Sequence, residues 1–327
     1  MRFKDNGRRA ALASLAATMF MAGGHAQAQA SSDKPLRVIV PLSAGSTVDV
    51  VARAMSAQMA KVMGHPIVIE NLAGAGGMTG TVQVVNAPKD GLTIGMVSSN
   101  HVINPSIYRK VPFDSLNDIT PITVIGTVPL VLVGSSVVPA RSLKELIALL
   151  KSKPGTLNIG SAGNGSVLHL AAELLMSEGG VDVKHIPYKG TGPLAADLLG
   201  GQVELGFLSV TAAAPHIKAG KLRAFGVSTR QRSAILPDVP TLAESGLPNY
   251  VFDAWIAVIG PAGLPRPVVQ KYYADVKTVL SMKDVQDAMA NQGIAIIASP
   301  PEQAAPFFKA EFDKHAVLVK KSGATAD

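Results

Sequence analysis

The 327-residue chain contains no cysteine. That excludes disulfides, thiolate-bound zinc and a cysteine nucleophile. Aromatic residues make up 5% of the sequence and charged residues 16%, with a single tryptophan. No long Lys/Arg run interleaved with aromatics is present, so nucleic-acid binding has no support. The serine-hydrolase pattern G-x-S-x-G is missing. His65, His101, His169, His185, His216 and His315 show no paired metal-ligand spacing. A dinucleotide fingerprint fails at Gly74-Ala75-Gly76-Gly77-Met78-Thr79, because Thr79 takes the place of the third glycine. No catalytic residue, cofactor or metal is therefore expected.

What is present begins with a leader. Residues 1–9 carry Arg2, Lys4, Arg8 and Arg9 against Asp5, and residues 10–24 are small and apolar. Ala26-Gln27-Ala28 and Ala28-Gln29-Ala30 both offer a small-x-small cleavage pattern. The apolar stretch is shorter than the ~20 residues a membrane span needs. A cleaved export signal over 1–30 and a periplasmic mature chain are expected. Residues 1–30 hold four basic side chains and one acid, so removing them lowers the formal charge from +7 to about +4.

The remainder alternates between short apolar strands and amphipathic helices. Strands are expected over 36–41, 66–70, 92–97, 122–133, 156–160, 183–187, 203–208, 222–228 and 255–259. Helices are expected over 47–63, 79–87, 142–152, 166–178, 192–199, 212–219, 267–280, 283–291 and 301–319. This order implies an α/β protein with sheets covered by helices on both faces.

Three strand-to-helix loops stand out. The first is Leu42-Ser43-Ala44-Gly45-Ser46-Thr47, after the run ending at Pro41. The second is Gly74-Ala75-Gly76-Gly77-Met78-Thr79-Gly80. The third is Gly160-Ser161-Ala162-Gly163-Asn164-Gly165-Ser166, before the helix that carries His169. Each sets glycines and hydroxyls ahead of a helix start. The free N–H groups and partial positive charge there suit an anion. Three such loops point to a shared ligand site.

Longer motifs carry a resemblance. They include Val40-Pro41-Leu42-Ser43-Ala44-Gly45 with Asp49, Ala52 and Arg53, then Val68-Ile69-Glu70-Asn71, Gly74-Ala75-Gly76-Gly77, and Ile103-Asn104-Pro105 with Tyr108. Further on come Ile186-Pro187-Tyr188-Lys189-Gly190, Asp197-Leu198-Leu199-Gly200-Gly201-Gln202-Val203 and Leu236-Pro237-Asp238-Val239-Pro240-Thr241. In this order the chain resembles the substrate-binding proteins of the tripartite tricarboxylate transporter family, the Bug receptors. The resemblance implies a two-lobed, Venus-flytrap periplasmic-binding-protein fold. Its parts would be 31–130 plus 255–299 as lobe 1, 131–254 as lobe 2, and 300–327 as a C-terminal helix returning across both. It implies a monomer that captures a small organic anion for the membrane components of a tripartite tricarboxylate-type transporter. A solitary sensor for a membrane signalling partner is the alternative, with an exported enzyme behind it.

The loops and the resemblance together propose a set of ligand-binding residues. These are Ser43, Ala44, Gly45, Ser46, Thr47 and Asp49 from the first loop, and Gly77 and Met78 from the second. Ser161, Asn164, Gly165, Ser166 and His169 come from the third, joined by Ser98, Tyr188, Gly190, Thr191 and Leu208. Met78 and Leu208 depart from the family pattern, which often has asparagine and aspartate there. If both face the cleft they make it more apolar. A site without that acid disfavours a ligand bearing an ammonium group, which needs an anionic or carbonyl partner when buried. An organic acid with an apolar or aromatic body is the expected ligand.

Overall fold

The structure is a computed structural model in which residues 34–325 are described; the expected leader lies outside them. The first part of the chain forms β1 (Leu36–Val40), α1 (Thr47–Met63), β2 (Ile67–Asn71), α2 (Met78–Val85), β3 (Thr93–Ser98), α3 (Asn100–Ile107) and β4 (Ile119–Val128). The middle forms β5 (Leu130–Gly134), α4 (Leu143–Ser152), β6 (Asn158–Ser161), α5 (Val167–Gly179), β7 (Lys184–Pro187), α6 (Thr191–Leu199), β8 (Leu205–Ser209), α7 (Val210–Lys218) and β9 (Arg223–Val227). The last part forms β10 (Ala254–Pro261), α8 (Arg266–Leu280), α9 (Lys283–Asn291), β11 (Ala295–Ile296) and α10 (Pro301–Ser322).

Two mixed sheets result. One has the order β11-β4-β10-β3-β1-β2 and the other β7-β6-β8-β5-β9. β1 lies parallel to β2 and β3, and β10 runs antiparallel between β3 and β4. The second sheet repeats the theme, with β6 parallel to β7 and β8, and β5 antiparallel between β8 and β9. Parallel strands covered on both faces are apolar on both. Leu36, Val38 and Val40 accordingly join Met55 and Met59 of α1 in one cluster, while Ile39 points into another with Trp255 and Phe308.

The chain passes from the first sheet to the second at Pro129 and returns at Asp253. Sequence patterning suggested one strand over 122–133. Proline has no N–H to continue a ladder, and the run breaks there into β4 and β5, which enter different sheets. The C-terminal helix α10 ties the two halves again. Its Phe308 packs in a first-sheet cluster, and its Leu318 and Val319 in the second-sheet core.

Helix α3 escaped the sequence reading because Pro105 lies inside it. A proline at that position cannot donate to the carbonyl of His101. That carbonyl is satisfied from outside the helix, by the Ser115 hydroxyl at 2.9 Å. The apolar side of α3 then inserts Ile103 and Ile107 into the second-sheet core. The two-residue β11 was likewise unmarked in the sequence.

Candidate functional site

A cavity of about 430 Å³ opens between the two sheets. Its geometry starts with the first loop. Gly45 takes the left-handed conformation (φ +81°), which glycine adopts without the strain of a Cβ. Ser46 is the N-cap of α1, its Oγ accepting from the Asp49 N–H at 3.3 Å. The Asp49 carboxylate reaches back to the Gly45 N–H at 2.8 Å. Burial acts to raise the pKa of Asp49. The Arg53 guanidinium, the Gly45 N–H and the Asn71 amide outweigh it and hold the carboxyl below its ordinary value.

The third loop repeats this device in the other half of the molecule. Gly165 is left-handed (φ +69°), and Ser166 caps α5 by accepting from the His169 N–H at 3.2 Å. The His169 ring reaches back to the Gly165 N–H, with Nδ1 accepting at 3.0 Å. This assigns the proton to Nε2, which donates to Glu173 at 3.2 Å. In both loops a side chain three residues into the helix holds the backbone just before the cap. Ser142 and Glu145 do the same at α4, where Glu145 accepts from the Arg141 N–H. At α1 and α5 the N–H groups of Thr47, Val48, Val167 and Leu168 are left without an acceptor in their own helix. All four residues line the cavity.

Three more helix starts converge on the same space. Asn100 begins α3, Thr191 begins α6, and Ser209 caps α7 through the Ala212 N–H. Ser99 Oγ and Asn100 Oδ1 are buried without a hydrogen-bond partner among the described residues, and both residues line the cavity. The floor and walls are apolar: Leu42, Val128, Leu130, Ala254, Trp255 and Ile256, with Ala162 beside them. Trp255 is itself fixed by donating from Nε1 to Glu311 of α10 at 3.0 Å. Among the described residues, no lysine, arginine, histidine, aspartate or glutamate lines the cavity. The site can therefore hold a negative group only through partial charges and hydroxyls, around an apolar body.

Six residues proposed from sequence meet here: Gly45, Ser46, Thr47, Ser98, Ser166 and Thr191. Others lie elsewhere. Asp49 and His169 are buried beneath their loops, which they position. Ser43, Ala44 and Asn164 are exposed beside the lining. Gly165 packs against Ile107, and Gly190 caps α6. Ser161 is fully buried, bonded to Gly163 and to His185 Nε2 at 2.6 Å. Tyr188 donates to Asp197 at 2.8 Å, and its hydroxyl is pushed up to about 12 by burial and that carboxylate.

The expectation that Met78 and Leu208 face the cleft is corrected. Alternate strand residues face opposite sides. Ser209 of β8 reaches the cavity, so Leu208 turns away into the second-sheet core, where it is fully buried. The second glycine loop does not open on the main cavity either. Gly80 lies against Pro41 and Leu72, and Asn104 donates to the Gly76 carbonyl at 3.0 Å. Gly76 and Gly77 line only a small adjoining recess, and Met78 is buried beside them.

The sequence reading missed Trp255, Val128 and Leu130, which flank the two crossings between sheets. It also missed Asn100, at the start of the helix that Pro105 concealed. One signal existed: Pro129 interrupts an apolar run too long for one strand.

Comparison with known proteins matches residues 51–324 to the family described as tripartite tricarboxylate transporter family receptor. The periplasmic binding protein BugD has 32% sequence identity and a TM-score of 0.76, over 89% of this chain and 98% of its own. The R. palustris protein Rpa4515, solved with adipate, has 29% identity and a TM-score of 0.78, over 89% and 98%. MatC from Rhodopseudomonas palustris, solved with bound malate, has 32% identity and a TM-score of 0.74, over 87% and 98%. The fold is thus that of the periplasmic binding proteins.

Proposed function

This chain belongs to the tripartite tricarboxylate transporter family of receptors, and on that premise we propose that it captures a small organic carboxylate with an apolar or aromatic body. It does so in the periplasm, as a monomer freed of residues 1–30, and passes its ligand to the membrane components of a tripartite tricarboxylate-type transporter. The observation that carries this reading is the cavity's lining: five helix starts and, among the described residues, no ionisable side chain. Helix N-termini attract anions through unpaired N–H groups and the macrodipole. Two neighbours of the same fold were solved with carboxylates, one with adipate and one with malate, which supports the reading.

The apolar body rests on Val128, Leu130, Trp255 and Ile256 rather than on Met78 and Leu208. An ammonium group would find no carboxylate in this lining, and leaving it unpaired costs several kcal/mol. We expect the ligand to be held rather than transformed, a reading supported by the family match to a transporter receptor.

The test is a thermal-shift and calorimetric screen of residues 31–327 against benzoate, hexanoate, adipate, malate, glutamate and aspartate. A true ligand at a hundredfold excess over its Kd stabilises the protein by about 2.7 kcal/mol. Benzoate or hexanoate is expected to bind. Tight binding of glutamate or aspartate, with no response to the apolar acids, overturns the reading.

A further inference from the structure

Behind the ligand cavity lies a second one, of about 580 Å³. The two are separated by the crossing strands, whose alternate side chains face opposite ways. Val128 and Leu130 face the first cavity; Thr127 and Pro129 face the second. On the returning strand, Ala254 faces the first and Asp253 the second. The rear cavity is bounded by Arg230 and Ser233 from the segment after β9, and by Asn291 and Ala295 around the end of α9.

Its chemistry is the opposite of the front cavity's, because it carries full charges. Asp253 Oδ1 is buried and has no hydrogen-bond partner among the described residues. Burial pushes this carboxyl up to about 6, with Lys314 and Arg230 opposing the rise and Glu311 adding to it. Of the neighbouring cations, Lys314 is paired with Glu311, and Arg232 with Glu244 at 2.9 Å. Arg230 is exposed and makes no ion pair among the described residues. The half-buried Asp253 carboxylate, which makes no hydrogen bond among the described residues, thus shares one cavity with the Arg230 guanidinium, whose charge already favours its ionised form.

We propose that the rear cavity is a second ligand site, for a small zwitterion whose ammonium group meets the Asp253 carboxylate and whose own carboxylate meets Arg230. A monocarboxylate would satisfy Arg230 and leave the Asp253 carboxylate without a donor; an amine would do the reverse and face the arginine's charge. Only a molecule with both groups completes the pair. The two cavities therefore select by opposite rules, the front one by the absence of charge and the rear one by a pair of charges.

The experiment is calorimetry of the whole mature chain with the ω-amino acids from glycine to 6-aminohexanoate, and with acetate and hexanoate as controls. At least one zwitterion is expected to bind. Charge-assisted hydrogen bonds are worth enough that Asp253→Asn and Arg230→Gln should each weaken it by about tenfold or more. Arg230 is exposed, so its replacement leaves folding intact and reads the site independently of Asp253→Asn. Ser166→Ala, which alters the front cavity, should leave zwitterion binding within about twofold. The proposal is overturned if no ω-amino acid binds, or if binding survives both rear substitutions and is lost with Ser166→Ala. The latter result would move the zwitterion to the front cavity and count against the charge-free selection proposed for it. Silence from every zwitterion would leave carboxylate capture untouched.

Discussion

At the scale of single residues, position on a strand outweighs residue type. Leu208 looks from sequence like a ligand-facing substitution for an acid, yet it is sealed in the second-sheet core beside Phe207. Leu208→Asp should therefore act on folding rather than on affinity. Burying an unpaired carboxylate there is expected to cost about 3–5 kcal/mol, read as a lowered urea midpoint. Preserved stability with selectively weakened ligand binding would show that the side chain reaches the cavity. The residues that were legible are those whose chemistry is local. Ser46 and Ser166 announce themselves as caps by standing between a left-handed glycine and an apolar-periodic helix. Trp255 was not legible, because its place in the wall depends on where a distant strand re-enters the first sheet.

At the scale of elements, the two capped loops make a matched experiment. Gly45 and Gly165 share the left-handed backbone, so an alanine at either is strained by about 1 kcal/mol. Their surroundings differ. Nothing lies within 4 Å of a Cβ placed at Gly45, whereas one at Gly165 would collide with Ile107 of α3. Gly165→Ala should thus destabilise by about 1–3 kcal/mol more than Gly45→Ala, since overpacking adds to strain. Chemical denaturation of the two variants decides it, and equal losses would mean that α3 yields freely. Helix α3 also shows why some elements stay hidden in a sequence. The hydroxyl that compensates for Pro105 comes from Ser115, beyond the helix and outside any local window.

At the scale of the whole molecule, buried imidazoles dominate the response to acid. Burial holds His101 and His315 down to about 4, and burial with the neighbouring His169 does the same for His185. In the unfolded chain each titrates near 6.5. Between those values the unfolded state binds protons that the native state refuses, so stability falls as pH drops from about 6.5 to 4. Asp253 acts the other way. Raised to about 6, it binds its proton first in the native state and adds stability as pH falls through that region. Three groups against one predict a net loss of roughly 2–5 kcal/mol between pH 7 and 5. Calorimetric melting across that interval checks it, and a flat or rising Tm would contradict the assignment. Asp253→Asn should raise stability at pH 7 and steepen the decline below 6. The alternation of strands and helices made the α/β architecture readable from sequence, and the family motifs carried the two-lobed plan. The course of the crossings was not readable as a local pattern, because it is decided by which sheet each half of a broken apolar run joins.

The chain's single tryptophan is the one that walls the front cavity, its ring packed near Phe307 and Phe308 and its N–H held by α10. The molecule therefore carries its own optical probe, buried beside the wall of that cavity. Excitation at the indole band should give an emission that changes saturably with an organic acid, without any label. Trp255→Phe should abolish that signal, and an unresponsive emission alongside calorimetric binding would place the ligand away from this wall. Because no second indole adds background, the rate of capture could be followed directly by stopped-flow fluorescence in the native protein.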